Sequence, residues 1–251
     1  MCPMKASASP RTLLIVAILA ASTAGMACAQ DALVLTNGQR REVQVIGVTG
    51  DRLVFKSGPA ETSLPLAQIE AVKMAAPKNF EQVLEMRKGP DAAKALPILK
   101  TLVEKFRGLP SPWAERASAM LGDAMLDAGD VAGAEAAFTA FQSAYPKAQS
   151  LADLGLARLA LEKKDYATAG AKAAPMVEAA RQTLFAGPRK SAEYGQACFI
   201  MGAVLEEQGK LPEALETYLL ATTVFYEDQT VAAKARARAD ALASEKNVSV
   251  P

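Results

Sequence analysis

A six-residue turn recurs along the second half of this chain and limits its fold more than any other feature. Gly129-Asp130-Val131-Ala132-Gly133-Ala134 returns as Lys164-Asp165-Tyr166-Ala167-Thr168-Ala169 after 164 − 129 = 35 residues. It returns again as Gly209-Lys210-Leu211-Pro212-Glu213-Ala214 after a further 209 − 164 = 45. Each copy sits between stretches dominated by Ala, Leu, Glu, Lys and Met, the composition of helix. A period of this length holds one helix, a turn and a second, antiparallel helix. One such pair cannot bury its apolar face alone, so successive pairs must stack. The longer second interval predicts an added loop or a lengthened helix around Arg181–Arg189, where Gly187-Pro188 marks a break.

The helical region is expected over residues 79–246. A first helix over Phe80–Lys88 is broken by Gly89-Pro90, and a second runs from Asp91 to Phe106. Ser111-Pro112 then places an N-cap residue before a proline at the first helical position. The helix it opens runs to Leu126, and the next spans Val131 to Tyr145.

Residues around these turns resemble the tetratricopeptide repeat family. In one unit the family's Leu-Gly pair is Leu121-Gly122, its small mid-repeat residue Ala134, its large apolar residue Phe138 and its terminating proline Pro146. The last unit carries Met201-Gly202, Ala214, Tyr218 and Ala221 in the matching places. The middle unit is degenerate, with Leu156-Ala157, Ala169 and Ala173. The resemblance implies a mostly α protein, an α-solenoid whose concave face is lined by the first helix of each pair. Position by position, it points to Arg116, Ala119, Asp123, Leu126 and Asp127; to Leu151, Leu154, Arg158, Leu161 and Glu162; and to Gln196, Phe199, Ala203, Glu206 and Glu207. The protein-binding set selected from these is Arg116, Asp123, Arg158, Glu162, Gln196, Phe199 and Glu206. Asp123 and Glu206 argue against the family's clamp for terminal carboxylates, which uses Lys, Arg and Asn.

Residues 30–75 follow a different period. Ala32-Leu33-Val34-Leu35 runs into Thr36-Asn37-Gly38, and Asn-Gly is a strong turn signal because both residues tolerate positive φ. A second strand with imperfect alternation covers Val43 to Val48. Thr49-Gly50-Asp51 and Ser57-Gly58-Pro59-Ala60 are further turns around Arg52-Leu53-Val54-Phe55-Lys56. Four or five short strands are expected, either curled into a small antiparallel β-barrel or laid out as a β-meander on a neighbour. The pattern resembles the small SH3-like or Sm-like barrels that precede helical domains in some exported bacterial proteins. Phe55 is the one aromatic residue of the region, so no stacking platform for nucleic acid is expected.

The first 29 residues read as an export signal. Lys5 and Arg11 precede the apolar run Leu13–Ala20, and Ala27-Cys28-Ala29 has the small-x-small form of a cleavage site. The expected location is therefore the periplasm. Retention of residues 1–29 as a helix, or lipid attachment at Cys28, would instead tether the chain to the membrane. Cleavage removes two of the 28 bases and none of the 27 acids, leaving 26 against 27. A near-neutral chain gives no global electrostatic case for nucleic acid. Cys198 would be the one cysteine left.

Histidine is absent, which removes Ser-His-Asp, Cys-His and His-built zinc chemistry. Neither a G-x-G-x-x-G nor a G-x-x-x-x-G-K-[ST] run occurs. No catalysis, cofactor or metal is expected. The sequence points to a scaffold or adaptor that holds another envelope protein or peptide segment. The alternative is a structural envelope protein that self-associates into a homo-oligomer.

Overall fold

The computed structural model describes residues 31–87, 89, 91–183, 185–245 and 248–249. The export signal predicted over residues 1–29 lies outside them. Five strands come first: β1 (Asp31–Leu35), β2 (Arg40–Thr49), β3 (Arg52–Ser57), β4 (Ala60–Pro65) and β5 (Ile69–Lys73). Nine helices follow among the described residues. They are α1 (Lys78–Met86), α2 (Ala95–Phe106), α3 (Pro112–Asp127), α4 (Val131–Ala144), α5 (Gln149–Glu162), α6 (Tyr166–Arg181), α7 (Pro188–Glu207), α8 (Leu211–Thr223) and α9 (Gln229–Glu245).

The strands form one antiparallel sheet in the order β4-β3-β2-β1-β5. It is an open sheet, which corrects the barrel expectation; β1 to β4 run as a meander, but β5 crosses over to pair with β1, so the module as a whole is not a meander. A barrel would need β4 to pair with β5. The Val72 N–H on β5 instead donates to the Pro110 carbonyl at 2.8 Å, so the loop before α3 occupies that edge. The imperfect alternation of β2 is a register shift between Val45 and Gly47. The Val45 N–H at this irregularity is satisfied by the Asp31 carboxylate at 2.9 Å. A Cβ on Gly47 would press on the Lys105 carbonyl at 3.1 Å, so the glycine lets β2 lie directly on α2.

A single buried core crosses from the sheet into the first helices. It holds Leu33, Leu53, Phe55 and Val72 together with Val83, Leu99, Phe106, Trp113 and Leu121. The sole tryptophan therefore reports on the sheet as well as on α3. Its ring lies 5.1 Å from that of Phe106 and 6.0 Å from that of Phe80. Leu33→Ala, in a strand remote in sequence, should cost about 2–5 kcal/mol and lower the urea midpoint followed by Trp113 fluorescence. An unchanged midpoint would mean the sheet unfolds independently of the helices.

The recurring turn has a physical basis. Gly129 and Gly209 have φ of 76° and 73°, and Lys164 at the equivalent place has φ of 59°, the sole non-glycine positive φ among the described residues. Each closes the first helix of its pair. The following N–H reaches back to the carbonyl five residues earlier: Asp130 to Met125, Asp165 to Ala160 and Lys210 to Leu205, at 2.8–3.0 Å. That is the Schellman ending, which requires a left-handed residue. Asp130 and Asp165 then cap the second helix by accepting from the Gly133 and Thr168 N–H groups.

Small residues set the spacing between helices. Gly122 and Gly155 both give way to the Phe138 ring, and a Cβ at Gly202 would stand 2.6 Å from the Tyr218 ring. Successive first helices lie side by side, α3 on α5, α5 on α7 and α7 on α9, while the second helices make no comparable contact with one another. The first helices thus form the inner row of a solenoid-like stack. The last described helix of the row is α9, whose Lys234, Arg236 and Asp240 are exposed.

Candidate functional site

The inner row brings the predicted partner-binding residues onto α3, α5 and α7, with different environments. Equivalent places are occupied by Arg116, Leu151 and Gln196; by Asp123, Arg158 and Ala203; and by Asp127, Glu162 and Glu207, each set spaced by 35 and then 45 residues.

Toward the C-terminal ends of the inner helices, ion pairs hold the row together. Arg158 donates to Asp123 at 2.9 Å and also to Asp127. Asp127 accepts in addition from Arg87 at 2.9 Å. One chain of charges therefore links the end of α1 to α3 and α5. Burial opposes the charge on Arg158, but Asp123 and Asp127 outweigh it and its pKa is raised. Burial likewise opposes ionisation of Asp127, and Arg158 followed by Arg87 holds its carboxyl below the usual carboxylate range. Further along, Arg238 of α9 pairs with Glu206 of α7, which also accepts from the Tyr218 hydroxyl at 3.2 Å. Tyr218 is shifted upward, first by burial and then by Glu206.

Between α5 and α7 no such rung exists among the described residues. Ala203 stands where Asp123 and Arg158 stand on the earlier helices. Gln196 is half-buried and Glu162 exposed. Phe199 is half-buried, its ring 6.0 Å from that of Tyr218. Ala119, Leu126 and Leu154 from the wider concave set are buried in the helical packing.

At the opposite, N-terminal end of the row lies an open pocket of ≈490 Å³. Glu115 of α3, Lys147 and Leu151 at the start of α5, and Arg189, Lys190 and Glu193 of α7 contribute to its walls. It exists because α7 is 20 residues long where α5 has 14. The added turns carry Arg189 beyond α5 to Glu115, two inner helices away, at 3.4 Å. Arg189 also meets Glu193 at 3.3 Å, and Lys190 meets Glu193 at 2.9 Å. Arg116, half-buried nearby, has its pKa lowered by burial and then by Arg189.

Sequence reading did not single out Arg87, Arg238, Gly155 or the basic residues of this pocket. The unequal repeat interval was the signal for the pocket, since it required extra structure near Gly187-Pro188. Nothing local marks Arg87 or Arg238, which become partners only when the pairs stack.

Cys198 is buried, and burial pushes its thiol up to about 12, so it stays protonated at neutral pH. No group of three or more His, Cys, Asp and Glu side chains among the described residues is placed to hold a metal ion. None of the described helices is long and apolar enough to cross a membrane. The chain matches a family model described as a tetratricopeptide repeat-like domain over residues 68–244. No curated protein and no solved structure matches it.

Proposed function

Because the chain belongs to the tetratricopeptide repeat-like family, we propose that it is a non-catalytic scaffold of the bacterial cell envelope that holds a partner polypeptide along its inner row of helices. The observation that carries this reading is the interruption of the ion-pair ladder between α5 and α7. Arg158 and Glu206 are engaged within the chain on either side, while Glu162 is exposed and Gln196 half-buried. A segment laid across α5 and α7 would meet both polar and apolar groups there, with the curvature of stacked pairs supplying an extended surface. The leader-like residues 1–29 support a periplasmic setting. The polar outer side of α9 favours an adaptor over end-to-end self-association.

The test places a photo-crosslinking residue at Gln196 or Glu162, with Glu135 and Glu178 on the second helices as controls, in intact cells. One envelope protein captured from the inner positions and not from the controls is the expected result. Capture of the protein by itself alone would move the function to a self-assembling structural role. Equal capture from the controls would remove the inner row as the binding face.

A further inference from the structure

The pocket beneath the extended start of α7 is a feature the repeat alone does not produce. Three cations, Lys147, Arg189 and Lys190, stand in its walls against two carboxylates, Glu115 and Glu193. The carboxylates are spent on Arg189 and Lys190, and Lys190 also lies 5.2 Å over the Tyr194 ring. Lys147 makes no ion pair among the described residues and is exposed. Two helix starts add to this imbalance. Neither α5 nor α7 has a capping side chain or an acidic residue in its first turn, so both present uncompensated N–H groups. Leu151 supplies an apolar floor, and Phe185, two residues before the pocket wall, is 95% exposed.

We propose that this pocket receives an acidic side chain of a partner polypeptide, with a neighbouring apolar residue of the same segment packing on Phe185. The inference rests on the scaffold reading and gives the partner a chemistry. A carboxylate fits because it pairs Lys147, faces the open helix starts and leaves the existing pairs of Arg189 and Lys190 in place. The pocket is concave, which suits a side chain presented by a peptide rather than a flat membrane surface. Its position at one end of the inner row gives the bound segment a direction, acidic end over α5 and α7, the remainder along the row.

The full-length protein is titrated with fluorescein-labelled hexaglutamate, with labelled hexaglutamine as the neutral control, by fluorescence anisotropy at low salt. Hexaglutamate should bind about tenfold tighter than hexaglutamine, and added salt should erase the difference. Lys147→Glu, an exposed change that leaves the core untouched, should remove the preference; Lys147→Arg should keep it. Hydrogen exchange should slow over residues 147–151 and 187–193. Equal affinity for the two peptides, an unaltered preference in Lys147→Glu, or protection confined to other segments would each overturn the proposal. If a crosslinker at Gln196 still captures its partner in those cases, the pocket assignment alone fails. Loss of that capture as well would remove the scaffold reading with it.

Discussion

Phe138→Ala is expected to lower the unfolding free energy by about 3–5 kcal/mol, the largest single-residue loss among the contacts that space the helices. The ring is 1% exposed and lies where Gly122 of α3 and Gly155 of α5 both lack a side chain. It therefore fixes α4 against its own partner helix and against the first helix of the next pair at once. Removal of the ring leaves a cavity that two backbones border, and helix backbones cannot collapse into it as flexible side chains would. The converse substitution acts through the same contact. Gly155→Val places branched carbon in the ring's volume and should cost about 1–3 kcal/mol by overpacking. Gly155→Ala combined with Phe138→Leu should lose less than the two single changes added together, with a coupling of at least about 0.5 kcal/mol. Urea unfolding followed by far-UV circular dichroism, applied to Phe138→Ala, Gly155→Val, the two singles Gly155→Ala and Phe138→Leu and their double, supplies these values. Strict additivity, or a loss below about 1 kcal/mol for Phe138→Ala, would show that the two pairs are not joined through this ring.

The parts of the fold that could be read from sequence are those whose cause is local. A Schellman ending needs a left-handed residue, and Gly129 and Gly209 announce it wherever the rest of the chain lies. Lys164 does so only through alignment with them, because a lysine carries no preference for that conformation. Tyr218 follows from Gly202 in the same way, ring against glycine. The middle pair was harder to place because Ala173 replaces the ring found at Phe138 and Tyr218. The structure accommodates this by close approach: Ala173 is fully buried, and Gly170 lies where a Cβ would meet Val204 at 3.2 Å. Closure of the sheet was beyond sequence, since it depends on which group reaches the free edge of β5. Pro110, nearly forty residues downstream of Val72, reaches it. The inner row was legible as a row, but which of its charges are free for a partner was not. Asp123 and Arg158 sit 35 residues apart, and only the stacking of α3 on α5 turns them into each other's partners.

Arg158→Ala should accordingly destabilise the protein by about 1–3 kcal/mol, below the loss for a fully buried pair because Asp127 is partly solvated. The Arg158 side chain is 17% exposed, and those of Asp123 and Asp127 are 21% and 39% exposed. Its removal leaves two carboxylates one turn apart on the same face of α3, with Arg87 to balance Asp127 and no partner for Asp123 among the described residues. Asp123→Asn combined with Arg158→Met should recover part of that loss, since Arg87 still pairs Asp127 and the carboxylate left uncompensated is removed with its partner. The pH dependence has a defined sign. The Asp127 carboxyl lies below its unfolded value in the folded chain, so its contribution is complete above the ordinary carboxylate pKa of about 4 and is lost as the pH falls through the folded value. Between neutral pH and about pH 3, stability should fall more steeply in wild type than in Asp127→Asn, as read from urea midpoints at each pH. Parallel curves, or a loss below about 0.5 kcal/mol for Arg158→Ala, would leave the ladder without a structural role and return Arg158 to the partner. If the loss is found, a weakened complex in Arg158→Ala reports on the joint between α3 and α5. Contact with the partner is then tested at Gln196, which carries no charge, and at Glu162, which makes no ion pair among the described residues.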